Sequence, residues 1–137
     1  MERFGLKSDT MKIVKFFTPE EAKRTLPLVK RIIRDIINSG EMMRSIASEL
    51  NGSVIDDPEI QAIASNINGF ITELEEIGCF YKDWNFTIGL VDFPSIIEGK
   101  EVMLCWRSDE PEIRYFHDMD SGYAGRKPIP EEYFLSK

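Results

Sequence analysis

The sequence holds one His and two Cys, and these scarcities remove whole classes of chemistry. A lone His excludes every zinc motif that needs a His pair, H-E-x-x-H among them. Two Cys cannot build a four-Cys metal site or a disulfide framework. Cys79 and Cys105 stand 26 residues apart with no C-x-x-C, so each reads as a small buried hydrophobe of a reducing, cytoplasmic compartment. No run of about 18 apolar residues occurs, so no membrane span is expected. Met1–Thr10 has no apolar core of a secretory signal and reads as a flexible extension. A P-loop, a Rossmann glycine fingerprint and a nucleophile elbow are all missing. Bases are outnumbered, 17 against 24 acids for a net charge of −7, which argues against generic nucleic-acid binding.

What is present suits one globular domain. The chain has 137 residues, 42% hydrophobic and 30% charged, enough for a single core. We read one domain over residues 11–137: an extended arm and helical hairpin in 11–78, then a β-meander and loop tail in 79–130.

Lys12–Phe17 reads as a short strand or extended arm. Thr18-Pro19-Glu20-Glu21 is a helix start, with Thr as N-cap, Pro at the first position and Glu three residues after the cap. Apolar positions then recur at Leu26, Val29, Ile33, Ile36, Gly40, Met43, Ala47 and Leu50, alternating steps of three and four. Pro27 predicts a bend or restart in the second turn. Asn51-Gly52 and Asp56-Asp57-Pro58 bracket a loop, and Asp57-Pro58 repeats the start signal. Ile60, Ile63, Ile67, Phe70, Leu74 and Ile77 form a second seam, closed by Gly78 at a C-cap. A short connection makes the two helices an antiparallel hairpin. Leu28, Ile32, Ile37, Met42 and Ile46 lie off the first seam and need a cover, from the second half of the chain or from a partner subunit.

The charge is unevenly placed. Lys12 to Arg34 holds seven bases and two acids, whereas Pro58 to Ile77 holds four acids and no base. In an antiparallel hairpin these segments lie side by side, so the asymmetry is largely internal and favours this arrangement over alternatives.

From Cys79 the period changes. Ile88–Phe93, Glu101–Arg107 and Glu112–Asp118 alternate and are rich in aromatic and β-branched residues. Glu98-Gly99-Lys100 and Ser108–Pro111 read as turns, and 120–130 as a loop tail. The fold class is therefore α+β: a long helical hairpin followed by a three-stranded antiparallel meander packed on it. Pairing Phe93 with Glu101 and Arg107 with Glu112 puts Ile88, Leu90, Asp92, Val102, Leu104, Trp106, Ile113, Tyr115 and His117 on one face. A one-residue slip would reverse a face. Asp92 and His117 then share a row on either side of Val102, about 10 Å apart. Cys105 falls on the other face, which discounts a thiol nucleophile, and Arg107 and Glu112 pair across strands.

Asp92 and His117 are the candidate catalytic pair, since a His beside an acid titrates near neutrality and a buried acid needs a reason. The plainer reading is a hydrogen-bonded structural His. His117-Asp118-Met119-Asp120 offers metal-ligand types to which Asp92 adds, but the spacing suits a solvated turn better, and no metal site or cofactor is assigned. Ser121–Lys127 combines glycines with two bases, an anion nest or simply a loop needing glycine. Trp106 and Phe93 read as core before they read as stacking platforms.

Gly89-Leu90-Val91-Asp92-Phe93-Pro94, Cys105-Trp106-Arg107 with Glu110-Pro111, Tyr115-Phe116-His117-Asp118 and Gly122-Tyr123-Ala124-Gly125-Arg126, after Phe17–Ala22, form an ordered set of motifs. In these the chain resembles the prokaryotic domain-of-unknown-function family numbered 2203. The resemblance implies a grouping and no reaction. Its motifs fall on Asp92, Arg107, Glu110, His117, Gly122, Gly125 and Arg126, so Arg107, Glu110, Gly122, Gly125 and Arg126 join the pair as candidate ligand-binding residues. Two functions follow, the first preferred to the second. The preferred one is an interaction or oligomerisation module, a homodimer through the hairpin with a structural polar cluster. The other is a small enzyme or ligand-binding protein for a small anionic or carbonyl compound, with Asp92 and His117 as acid–base pair and Arg107 or Arg126 holding the anion.

Overall fold

The computed structural model describes residues 12–50 and 54–134. The extension Met1–Thr10 and the turn Asn51-Gly52 lie outside the described residues. None of the helices described is long and apolar enough to cross a membrane.

Helix α1 spans Pro19–Ala47 and begins as its sequence dictates. Thr18 Oγ1 accepts from the Glu21 amide at 3.1 Å, and Glu21 accepts from the Thr18 amide at 2.9 Å. That reciprocal box satisfies two backbone donors, and the Thr18 amide holds the Glu21 carboxyl below its ordinary range. The expected restart at Pro27 does not occur, since α1 is continuous through it. Pro27 sits on the exposed face, where the carbonyl it leaves without a donor can turn to water. Helix α2 spans Pro58–Ile77, with Asp57 capping Ile60 and Gly78 left-handed at its C-terminus.

Both seams enter the core. Leu26, Val29, Ile33, Ile36 and Met43 meet Ile60, Ile63, Ile67 and Leu74. The seams loosen at their ends, where Ala47, Leu50 and Ile77 are half-buried, and at one inner position, where Ile71 is buried and Phe70 only half-buried. The off-seam residues are covered largely by this chain itself. Ile32 is buried, and Ile37 and Ile46 pack half-buried against the same core. Leu28 and Met42 stay exposed, about 21 Å apart along the helix. The basic arm does approach the acidic end of α2, with Lys12 beside Glu75 and Glu76 around one shallow hollow. Lys30 turns elsewhere and donates to the Pro111 carbonyl at 3.1 Å.

The sheet has five antiparallel strands in chain order, two more than expected. They are β1 (Phe80–Tyr81), β2 (Leu90–Ile97), β3 (Lys100–Arg107), β4 (Tyr115–Asp118) and β5 (Lys127–Pro128). Strand β2 runs through Pro94 and does not end before it. The Pro94 carbonyl accepts from the Phe17 amide at 2.7 Å, on the edge away from β3. Its ring nitrogen points to that same edge, so no β2–β3 ladder bond is lost. Ser95 Oγ donates to the Phe17 carbonyl at 2.5 Å, which pins the arm to the sheet. The β2–β3 hairpin closes on two residues, Glu98 with φ 53° and Gly99 with φ 80°. Two successive positive φ values make the primed turn whose twist matches the strands.

This turn corrects the register. Phe93 faces Leu104, three residues from the expected partner, and Cys105 faces Tyr115, one residue from the expected Arg114. Each slip is odd, so each turns a strand over relative to its neighbour. Val91, Phe93, Val102, Leu104 and Trp106 pack on the helices, and Trp106 and Phe93 are core. Asp92, Met103, Cys105, Tyr115 and His117 point to the other face. The expected Arg107–Glu112 pair is not made: Arg107 meets Asp109 at 3.2 Å, and Glu112 meets Arg114 at 2.8 Å.

Candidate functional site

Two odd slips cancel between β2 and β4. Asp92 and His117 therefore share a face, as expected, but the face is the outer one. They are not 10 Å apart in a row. Asp92 stands opposite Cys105, and His117 opposite Met103 one pleat away. From that diagonal the imidazole reaches across β3, and its Nε2 lies 3.1 and 3.2 Å from the two Asp92 oxygens. Both residues are nearly out of water, at 4% and 3% exposure.

The hydrogen bonds constrain the protonation of the ring. Nδ1 lies 2.7 Å from the Asp118 carbonyl, which only accepts, so Nδ1 carries a proton. Nε2 faces a carboxylate, also an acceptor. A neutral ring has one N–H, so beside an ionised Asp92 both contacts are satisfied together by the imidazolium. Burial by itself depresses the pKa of His117; the bond to Asp92, its negative charge and the Asp118 carbonyl outweigh that and hold it above the ordinary value.

Cys105 belongs to the same cluster, against the expectation that placed it on the opposite face. Its Sγ, the His117 nitrogen and a carboxylate oxygen of Asp92 lie within 4.8 Å of one another. Burial first, then the Asp92 charge, push the thiol up to about 12. It is therefore a neutral thiol whose Sγ lies within 4.8 Å of an Asp92 oxygen. Cys79, in the helix-side core, is also pushed up to about 12 by burial and touches no such group.

A cavity of about 340 Å³ opens over this cluster, lined by Asp92, Cys105 and His117 below and by Lys82, Met119, Asp120 and Tyr123 around them. Gly122 also lines it, with φ 69° and ψ −170°, a conformation closed to residues with a Cβ. Of the candidate residues, Asp92, His117 and Gly122 thus reach the cavity. Arg107, Glu110, Gly125 and Arg126 form an adjoining bracket. Arg126 Nη2 meets Glu110 at 2.5 Å and the Cys105 carbonyl at 3.4 Å. Its guanidinium lies 4.1 Å from the centre of the Tyr115 ring and 4.6 Å from that of Tyr123. Glu110 also accepts from the Arg107 amide at 2.9 Å, Arg107 donates to Tyr123 Oη at 3.0 Å, and the Gly125 amide closes the turn on the Gly122 carbonyl. The bracket holds the Tyr123 wall in place. Asp118 faces away and pairs with Lys100 at 3.3 Å and Lys127 at 3.6 Å, so the His-Asp-Met-Asp run does not converge on one point.

A second hollow of about 430 Å³ lies between α1 and the β3–β4 loop. Its Lys30 is bound to the Pro111 carbonyl and its Glu110 to Arg126, and Arg34, Asn38 and Asp109 complete its polar lining.

Cys105, Lys82 and Tyr123 were not among the candidate residues. For Cys105 a signal existed: Glu98-Gly99 as a two-residue turn pairs Ile97 with Lys100, and counting back sets Asp92 against Cys105. Lys82 and Tyr123 arrive from loops whose course no periodicity gives.

Neither the curated proteins nor the solved structures contain a match to this chain. Residues 15–129 match a family model described as "Uncharacterized conserved protein (DUF2203)". That match takes in the end of the arm, both helices, all five strands and the whole Asp92–Cys105–His117 cluster, and the chain belongs to the DUF2203 family.

Proposed function

We propose that this protein binds a small polar ligand, anionic or carbonyl-bearing, on the outer face of its sheet, with Asp92 and His117 as the groups that exchange a proton with it. The observation that carries this reading is a buried imidazole–carboxylate pair at the floor of an open cavity. An ion pair so placed stabilises a fold weakly, because desolvation opposes the Coulomb gain, and such pairs concentrate at functional sites. A volume of about 340 Å³ suits a small molecule. Lys82 and the imidazolium supply positive charge at the wall and floor. The expected anion-holding role of Arg107 and Arg126 becomes one of positioning, since both are engaged in the bracket behind Tyr123.

Against an interaction module stands the coverage of α1. Of the five off-seam residues, Ile32, Ile37 and Ile46 are buried or half-buried against this chain's own core, and the two left exposed, Leu28 and Met42, lie far apart on the helix, as single exposed apolar residues on any monomer do.

The single His makes the test direct, because one imidazole gives one set of ring ¹⁵N signals. Small carboxylates, phosphates and carbonyl compounds are added to the full chain. The expected result is a saturable shift of the His117 nitrogens by at least one class, lost in Asp92→Asn. No response to any class, or an unchanged response in Asp92→Asn, overturns the reading. A dimer in native mass spectrometry that Met42→Glu dissolves would favour the hairpin interaction.

A further inference from the structure

We propose that Asp92, Cys105 and His117 form a binding site for a thiophilic divalent cation of the Zn²⁺ class. This inference uses the cavity described above but does not depend on proton transfer to a ligand there.

Three observations converge on it, the first being the donor set and its placement. The donor set is one sulfur, one nitrogen and one oxygen, which suits Zn²⁺ and its neighbours and not the all-oxygen sites of Mg²⁺ or Ca²⁺. The donor atoms lie within 4.8 Å of one another, and a tetrahedral zinc needs them roughly 3.3–3.8 Å apart. Side-chain adjustment of about 1 Å closes that gap. All three side chains stand on adjacent strands β2, β3 and β4, the kind of rigid support that a precise site requires.

The second observation is the orientation of His117. Nδ1–H is fixed on the Asp118 carbonyl at 2.7 Å, so Nε2 is the nitrogen aimed into the cluster. A ligating His held through its other nitrogen by a backbone carbonyl is the usual outer-shell arrangement of a metal site. The third is the position between Nε2 and the carboxylate. Two groups that both accept must share a cation there, and a metal serves in place of the proton.

The balance is simple. Binding breaks the Cys105 S–H and the His117 Nε2–H bonds, forms three coordinate bonds, and passes two protons to the solvent. Thiolate, carboxylate and neutral imidazole then carry two negative charges against the two positive charges of the metal, a neutral unit in a buried place. The cavity leaves the fourth coordination position open, the arrangement of catalytic rather than structural zinc.

The experiment uses the full chain, stripped with EDTA and titrated with Co²⁺, whose thiolate charge-transfer band reports a sulfur ligand. The expected result is one equivalent of Co²⁺ with that band, displaced by Zn²⁺. The band is lost in Cys105→Ser and in His117→Gln and kept in Cys79→Ser. Two readouts need no variant: two protons released per Zn²⁺ in weak buffer, and a metal-induced shift of the Nε2 signal alone. Absence of stoichiometric binding, a band that survives Cys105→Ser, or a band lost only in Cys79→Ser overturns the site. If Co²⁺ does not bind while small carboxylates still move His117, the metal falls and the ligand reading stands. If Co²⁺ binds with the band and no compound moves His117 in the stripped chain, the reverse holds.

Discussion

Asp92→Asn in the EDTA-treated chain tests the ion pair where its consequences are largest. In the folded protein the His117 pKa is raised, against an unfolded value of about 6.5. A raised histidine contributes stability that is fully present below the unfolded value and is lost as pH rises through the folded one. Removing the Asp92 charge therefore costs most at pH 5.5. There the unfolded His is protonated, and the folded one must bury an uncompensated charge or give up its proton. Breaking a buried pair costs about 3–5 kcal/mol when the other charge stays; because His117 can shed its proton, the lower end, about 3 kcal/mol, is expected. Once the pH exceeds the raised folded value the ring is neutral in both states, and the loss reduces to about one hydrogen bond, roughly 1 kcal/mol; pH 9 samples that side. The assay is urea unfolding of wild type and variant at both pH values, with the single His followed by NMR. A destabilisation that does not change with pH, or that grows toward pH 9, refutes the imidazolium assignment.

Two further outcomes follow from other parts of the structure. Thr18→Ala removes the oxygen that accepts from Glu21 and should lower unfolding stability by about 1 kcal/mol, read in urea; an unchanged midpoint would deny the capping box a role. A double-mutant cycle on Arg126→Ala and Glu110→Ala should give a coupling of about 1–2 kcal/mol, because their side chains are only 11% and 21% exposed; strict additivity would mean that the bracket does not act as a unit.

Much of the fold was legible because its signals are local. The caps at Thr18 and Asp57, the Pro residues after them and Gly78 are chemical stops and starts that work within one helical turn. The seam spacing placed most core residues of the helices and missed Ala22, Ile32, Ala64 and Ile71. What local pattern did not carry was pairing between distant segments. Pro94 looked like a strand end and is not one, because its missing N–H points to the arm and not to β3. The two shortest strands, β1 and β5, have two residues each, too few for any alternation to mark them.

The site divides the same way. The sequence by itself singled out a lone His and one misplaced-looking acid; the expectation that they share a face held because two odd register errors cancel between β2 and β4. Only the tertiary structure decided which face, that the two touch at 3.1 Å, and that Cys105 is the third member. The physical reason is the strand's period of two. A hydrophobic alternation says which residues lie together on one strand, but the hydrogen-bond ladder alone sets which of them meet across the sheet, and one residue of slip exchanges a thiol for a tryptophan.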